Sequence, residues 1–288
     1  MRRLGLITGL ALGAIFMRVS EVSRRGARFF TAVAWGLSRR HEIAGLVRKH
    51  WDSERNTKKP GFSSAGLTRW EEELYRGAIP AGGRVCLIGC GSGRDLIGLA
   101  QNGYRVDGVD FAPEMIHSAR INIREAGIKA GLIYGDIRTV DLPAEPYDAF
   151  VFSAYVYSLI PGRPQRVEIL RKIRSRLSAK GCIVITYQED WQGSAGRMAA
   201  VAGRVAKLTG NADGPERGDH FPVDHDFHHT FLPGEFEEEI RRAGCHVDRF
   251  LPMMEMGGVA AILSSSVPEE DQTLRPKVSN GSNQEVEK

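Results

Sequence analysis

Cysteine is scarce in this chain of 288 residues. The four cysteines are Cys86, Cys90, Cys182 and Cys245. None of them forms a Cys-x-x-Cys pair, and three of the four lie in or beside apolar stretches typical of strands. These spacings argue against a disulfide framework and against a zinc site. We therefore expect a reducing, cytoplasmic compartment and no bound metal.

The sequence also lacks an apolar run long enough to cross a bilayer. The longest run, residues 4–17, has fourteen residues, whereas a spanning helix needs about 20. It follows two arginines, as a secretory signal would, but no small-x-small cleavage site comes after it. A second, shorter run extends from Phe29 to Leu37. Three interpretations stay open for these runs: a membrane anchor, packing on the body of the protein, and a cleaved signal.

Acidic residues are almost missing from the first fifty positions. Residues 1–50 hold ten Lys or Arg but only Glu21 and Glu42, so this segment carries a charge of +8 and the remainder −4. A basic arm on a mildly acidic body favours an anionic partner. We predict a helical arm over residues 1–50 that tethers the protein to the cytoplasmic face of an anionic membrane.

From Arg84 onward, short apolar strands alternate with amphipathic helices of 10–15 residues, which predicts a doubly wound, mostly parallel α/β sheet. The last two strands, His246–Met253 and Val259–Leu263, form a terminal pair. The predicted organisation is a linker over 51–65, a catalytic domain over 66–263 with an inserted lid over 192–230, and a disordered tail over 264–288.

One glycine-rich segment follows the first predicted strand, and its sequence is GCGSGRD. Gly89, Gly91 and Gly93 alternate with other residues, so the backbone there can turn sharply and a ligand can approach closely. The dinucleotide pattern G-x-G-x-x-G fails in both registers, because Arg94 and Leu96 occupy the third glycine position. A phosphate-binding loop fails as well, because no Lys-Ser or Lys-Thr follows.

Two carboxylates come at the ends of the next two predicted strands. Asp110 ends the second strand, where it can accept hydrogen bonds from both hydroxyls of a ribose. Asp136 follows the third strand, where it can accept one from the exocyclic amine of a purine. The ordered set on three successive strands predicts a nucleoside-type cofactor.

These motifs, together with GVDFAPEMI, GDI and YDAFVFSAYVYSLI, resemble the class I S-adenosylmethionine-dependent methyltransferases over residues 66–190, and more weakly to 263. The resemblance implies a Rossmann-like, seven-stranded sheet with an antiparallel C-terminal strand, N-terminal helices, and S-adenosylmethionine as the cofactor. It assigns cofactor contacts to Gly89, Cys90, Gly91, Gly93, Asp110, Phe111, Met115, Asp136, Ile137 and Ser153.

One position departs from the family. Relatives often carry an acid two residues before the first glycine, which helps to hold the cofactor's amino group, whereas this chain has Leu87. Asp95 is the predicted substitute.

The acceptor is only partly constrained by the sequence. The segment after the fourth strand is not the Asn/Asp-Pro-Pro-Tyr that relatives acting on nucleobase or glutamine nitrogens carry, so we expect no nucleic-acid partner. Tyr155 in this segment is a candidate for the acceptor pocket. A second group of candidates lies in the inserted segment, where a histidine could act as a general base: His225, His228 and His229. A solvated polar loop is the alternative for this segment.

The sequence thus predicts a methyltransferase that acts on a small or lipid-like hydrophobic molecule, by in-line transfer to oxygen or nitrogen. The alternative is a membrane-tethered protein that keeps the fold and the cofactor but works as a non-catalytic partner.

Overall fold

The computed structural model describes residues 26, 29–52, 66–152, 154–190, 197–220, 227–253 and 258–264. The apolar run 4–17, residues 53–65 of the predicted linker and residues 265–288 of the predicted tail lie outside these ranges. The predictions made for those segments therefore stay predictions. Ser264, the first residue of that predicted tail, instead ends the last strand of the sheet, where it pairs with Cys182 and His246.

Within the described ranges, helices and strands alternate as the sequence predicts. The helices are α1 (residues 29–37), α2 (Arg40–Trp51), α3 (Arg69–Ala78), α4 (Arg94–Gln101), α5 (Pro113–Glu125), α6 (Arg163–Arg174), α7 (Arg197–Thr209) and α8 (Glu235–Arg242). The strands are β1 (Arg84–Ile88), β2 (Arg105–Asp110), β3 (Gly131–Tyr134), β4 (Tyr147–Phe152), β5 (Leu177–Gln188), β6 (Asp219–His220), β7 (His228–His229), β8 (His246–Met253) and β9 (Gly258–Ser264). A short 3-10 helix, Val156–Leu159, follows β4.

Seven strands form one sheet in the order β3-β2-β1-β4-β5-β9-β8. The pairs from β3 to β5 are parallel, and β9 is antiparallel to both β5 and β8. This confirms the predicted doubly wound sheet with its antiparallel C-terminal strand. The chain order reverses between β1 and β4, and ligands of such sheets bind at the carboxyl ends of the strands on either side of that reversal.

Both faces of the sheet are apolar, because successive buried side chains of the central strands lie on opposite faces. In β4, Phe150 and Phe152 pack with α6 and α8, whereas Ala149 and Val151 pack with α3, α4 and α5. A parallel sheet covered by helices on both sides requires this continuous burial.

Two further predictions made from the sequence need correction. Trp51 ends helix α2 instead of beginning a linker, because Ile43, Val47 and Trp51 recur every fourth residue and share the apolar face of that helix. The inserted segment is not a solvated loop throughout, since Asp219 pairs with His229 and His220 with His228 in a two-stranded ladder.

The described part of the basic arm packs on the body of the protein. Ala32 and Trp35 from α1 and Val47 from α2 are buried against Ala202 of α7 and against Phe227. The helices approach closely because Gly36 has no side chain: a Cβ there would lie 2.4 Å from the carbonyl oxygen of Ala202.

A second contact holds the turn between α1 and α2. The side-chain amide of Asn211 donates hydrogen bonds to the carbonyl oxygens of Gly36 (3.0 Å) and Ser38 (2.9 Å). The arm and the inserted segment therefore form one layer. None of the helices within the described ranges is both long enough and apolar enough to span a membrane.

We predict that Ala202→Arg releases this layer. Ala202 is fully buried, so an arginine should overpack the interface and lower the free energy of unfolding by about 1–3 kcal/mol. Hydrogen exchange should speed up in residues 40–51. Leu208→Arg is the matched control, because Leu208 lies on the same helix and is 87% exposed. Unchanged exchange in Ala202→Arg would contradict the packing described above.

Candidate cofactor and active site

The glycine segment forms a tight loop between β1 and α4. Gly89, Gly91 and Gly93 have φ angles of 72°, 52° and 92°, which L side chains rarely adopt. The backbone amide of Gly89 donates to the carbonyl oxygen of Val109 (2.8 Å), so the loop is held against β2. A Cβ on Gly91 would meet no atom within 4 Å, and the loop therefore leaves open space beside its backbone.

Asp110 connects this loop to the end of β2. Its Oδ2 accepts a hydrogen bond from the Gly91 amide (2.8 Å), and its Oδ1 accepts one from the Ala112 amide (2.9 Å). Burial raises the pKa of Asp110 above its ordinary value, although both amides act in the opposite direction. Each carboxylate oxygen can accept a further hydrogen bond, so Asp110 can still bind a ligand hydroxyl.

Asp136 lies one residue beyond Gly135 at the end of β3 and is held by two arginines. Arg138 donates to both of its oxygens, and Arg48 from α2 donates to Oδ2 at 3.2 Å. Burial alone would raise the pKa of Asp136. The hydrogen bonds and charge of Arg138, with the charge of Arg48, outweigh burial and keep that pKa below its ordinary value.

Two adjoining cavities lie at the carboxyl ends of these strands, under helix α2. The first extends toward Arg48, Asp136, Ile137 and Gln165, and the second toward Trp51, Gly91, Met115 and Ala154. The residues common to both are Val47, Gly89, Asp110, Phe111, Val156, Leu159 and Ile160. The cavities thus lie at the reversal of strand order, where ligands of this fold bind.

The backbone after β4 is strained. Ala154 and Tyr155 have φ angles of 45° and 62°, which are rare for residues other than glycine and cluster at functional sites. The hydroxyl of Thr186 accepts a hydrogen bond from the Tyr155 amide (3.1 Å) and donates one to the Phe152 carbonyl oxygen (3.2 Å). This clamp holds Ala154 against the second cavity.

Several predicted site residues line these cavities, and others lie beside them. Cavity-lining positions include Gly89, Gly91, Asp110, Phe111, Met115, Asp136 and Ile137. The Cys90 thiol is buried beside Gly108 of β2, and burial raises its pKa. Asp95 is buried and paired with Arg94 at 2.5 Å, and Tyr155 packs against Gly258. Ser153 and His225 lie outside the described residues.

His229 is fully buried and forms an ion pair instead of lining a cavity. Its Nδ1 lies 2.6 Å from Oδ1 of Asp219, and its Nε2 lies 3.4 Å from Oε1 of Glu235. Burial and the charge of Arg166 lower the pKa of His229, but the two carboxylates raise it by more, so the net shift is upward. Burial alone would raise the pKa of Glu235, but its hydrogen bond to His229 and the charge of that ring bring it down to about 2. The ring of His228 stacks on that of His220 with 4.8 Å between the ring centroids.

The His229 pair belongs to a larger buried cluster, which we call the lid cluster. Arg166 is completely buried and donates to Glu239 (2.6 Å) and Glu216 (3.1 Å). The members of the lid cluster are Arg163, Arg166, Glu216, Asp219, His229, Glu235 and Glu239. With His229 protonated this cluster carries one excess negative charge, and Arg40 of α2 approaches Glu216 at 3.5 Å to balance it.

Sequence reasoning missed the lid cluster and the contribution of α2. Arg166 occupies the buried face of α6, and a charged residue on an apolar helical face is the signal that could have revealed it. The ligand atoms of Glu216, Asp219 and His229 lie within 4.8 Å of one another. The buried guanidinium of Arg166 already supplies positive charge at this group.

The chain is similar to known methyltransferases. The family model described as a methyltransferase domain matches residues 85–181. A ubiquinone biosynthesis O-methyltransferase from Xanthomonas axonopodis pv. citri is 25% identical over 207 residues, which is 72% of this chain and 80% of that protein. A phosphatidylethanolamine N-methyltransferase from Cereibacter sphaeroides is 32% identical over 129 residues, 44% of this chain and 60% of that protein.

Solved structures share the fold. A 1,6-didemethyltoxoflavin-N1-methyltransferase from Burkholderia thailandensis has a TM-score of 0.56 at 17% identity, with 79% of this chain and 90% of that chain covered. The CcbJ methyltransferase from Streptomyces caelestis has a TM-score of 0.54 at 14% identity, with 77% and 96% covered.

The family match begins inside β1 and ends inside β5, so it contains the glycine loop, Asp110 and Asp136. The protein is therefore an S-adenosylmethionine-dependent methyltransferase. These findings support the class I, Rossmann-like superfamily of these enzymes, with S-adenosylmethionine as the cofactor.

We expect Asp110→Ala to weaken the binding of S-adenosylmethionine by roughly 30- to 150-fold, or about 2–3 kcal/mol. The change leaves two ribose hydroxyls without their acceptor in a largely buried position. Titration calorimetry measures the loss, and the thermal unfolding of the ligand-free variant shows whether the fold survives. Asp141→Asn, at an exposed carboxylate, is the control. Equal affinity of wild type and Asp110→Ala would refute the ribose contact.

We expect the lid cluster to make stability depend on pH. The folded state raises the pKa of His229 above its ordinary 6.5, so the stabilisation is complete below that pH and is lost as pH rises through the folded value. Denaturant unfolding between pH 6 and 9 should show this decline for the wild type and a shallower one for His229→Gln. His228→Gln, one residue away, should keep the wild-type slope. Parallel curves for wild type and His229→Gln would be inconsistent with this account.

Proposed function

We propose that the enzyme transfers a methyl group to the hydroxyl or amine of a hydrophobic, lipid-like acceptor. The observation that supports this most is the apolar wall of the second cavity, which adjoins the glycine loop. Val47 and Trp51 of α2 form one side of it, and Val156, Leu159 and Ile160 form another. Such a lining favours an acceptor that is itself apolar.

The residues around the two adjoining cavities fit the cofactor. Gly91 leaves room beside its backbone, Asp110 can accept from ribose hydroxyls, and Phe111 offers a ring beside the carboxylate of Asp136. When bound, S-adenosylmethionine supplies an already activated methyl group. The protein's own task is then to exclude water and to aim the acceptor, which removes an entropic barrier of several kcal/mol.

A hydroxyl or ammonium acceptor also has to lose a proton. The titratable carboxyl groups among the described cavity residues are Asp110 and Asp136, and both are engaged by the contacts above. We therefore keep a histidine of the inserted segment as the proposed base. His225 and His228 are the candidates, because His229 is committed to the lid cluster.

The surface of the arm supports delivery from a membrane. Phe29, Phe30 and Leu37 of α1 are each more than half exposed, and Leu208 of α7 is 87% exposed. Exposed large apolar groups on a basic segment are typical of a surface that contacts anionic lipid. The relatives named for ubiquinone biosynthesis and for phosphatidylethanolamine methylation support the same acceptor class.

A non-catalytic partner role is the less favoured function. The loop glycines keep the backbone angles that a ligand needs, and Asp110 keeps both of its supporting amides. A retired site has no need of these features.

The experiment uses S-adenosylmethionine with a radioactive methyl group and vesicles of acidic lipid. One set of vesicles contains phosphatidylethanolamine, and the other contains a prenylated catechol. We expect label in the lipid extract of one set, and its identity distinguishes nitrogen from oxygen transfer. Phe30→Ser should slow methylation of the vesicle-dissolved acceptor several-fold, because it removes an exposed apolar contact with the bilayer.

The control is the same variant acting on a water-soluble analogue of the acceptor, which should react at the wild-type rate. Label that enters neither lipid would overturn the proposed acceptor class. Equal slowing with vesicles and with the soluble analogue would show that Phe30 acts on folding. That result would contradict the proposed delivery of the acceptor from the membrane.

A further inference from the structure

Helix α2 places a guanidinium between two residues of the proposed adenine site. The Cζ atom of Arg48 lies 5.1 Å from the centroid of the Phe111 ring. Its Nη2 donates to Oδ2 of Asp136 at 3.2 Å. Arg48 also lines the first cavity together with Gly89 and Asp110.

A bound adenine ring would make the same two contacts, one with the ring of Phe111 and one with the carboxylate of Asp136. A guanidinium is planar and delocalised, stacks on aromatic faces and donates N–H bonds within its plane. An adenine beside Phe111 that donated its exocyclic amine to Asp136 would use the same ring and the same carboxylate oxygen. Arg48 and the cofactor therefore compete for one position.

Asp136 does not depend on Arg48 for its charge balance. Arg138 already contacts both carboxylate oxygens, and Gln165 fixes Arg138 through a 3.0 Å hydrogen bond. The side chain of Arg48 is 45% exposed, compared with 31% for Arg138. Arg138 is thus the permanent partner of Asp136, and Arg48 is the exchangeable one.

We propose that Arg48 is a placeholder that occupies the adenine position and is displaced when S-adenosylmethionine binds. This inference rests on the cofactor site described under Proposed function, and it adds a self-contact that competes with the cofactor. The free enzyme populates a closed state whose ion pair and ring contact are lost on binding. The larger the fraction of free enzyme in that closed state, the lower its apparent affinity for S-adenosylmethionine.

The test is titration calorimetry with S-adenosylhomocysteine, the demethylated product. Arg48→Met should bind it about 3- to 10-fold more tightly than the wild type, because a half-exposed ion pair and a cation–π contact no longer compete. Adenosine alone should show the same gain, which locates the effect at the adenine end of the ligand.

Two matched variants serve as controls. Lys49→Met removes the neighbouring exposed charge on the same helix and should leave affinity unchanged. Arg138→Met removes the permanent partner of Asp136 and should weaken binding. Thermal unfolding of each ligand-free variant checks that the fold is intact.

Ionic strength provides a second readout that does not depend on activity. Salt screens the half-exposed pair of Arg48 and Asp136, so added NaCl should raise the affinity of the wild type relative to that of Arg48→Met.

Weaker binding by Arg48→Met would mean that Arg48 clamps the adenine, and unchanged binding would mean that it does not compete; either result overturns the proposal. Failure of both proteins to bind would overturn the cofactor site and the placeholder together. No acceptor enters the experiment, so the proposed acceptor class can fail without changing this result.

Discussion

The carboxylate of Asp110 is the contact on which the site depends. It accepts backbone amides from the glycine loop and from the start of α5, so the ends of β1 and β2 are held at a fixed separation. The same carboxylate therefore orders the loop and keeps capacity for a ligand hydroxyl, and structure and binding are coupled at this residue.

The lid cluster organises the opposite side of the cavity. Arg166 donates to the carbonyl oxygen of Ile160, which lines both cavities, and to Glu216 of the inserted segment. A buried guanidinium is costly unless most of its donors are satisfied, and this requirement holds the inserted segment, α6 and α8 in one arrangement. His229 sits in this network, so its ion pairs help to hold the inserted segment in place.

The basic arm both packs on the body of the protein and contributes residues to the cavities, and its composition alone does not distinguish these two roles. One face of α1 and α2 packs on α7, whereas Phe29 and Phe30 remain exposed. The same arm supplies Val47, Arg48 and Trp51 to the cavities. A segment that the sequence marks only as apolar and positively charged therefore forms part of the site, because its helices fold back over the strand ends.

The sequence by itself determined the sheet, the glycine loop and the two strand-end acids. Each of these follows from local rules: strand and helix periodicity, the backbone angles open to glycine, and the shared edge at which parallel strands end. Only the tertiary structure decided that Arg48 meets Asp136 across 88 positions and that Arg166 meets Glu239 across 73. It also decided that His229 is buried. Periodicity indicates which face of an element is covered, but it does not identify the partner, because partners are selected by three-dimensional packing and by the need to pair every buried charge.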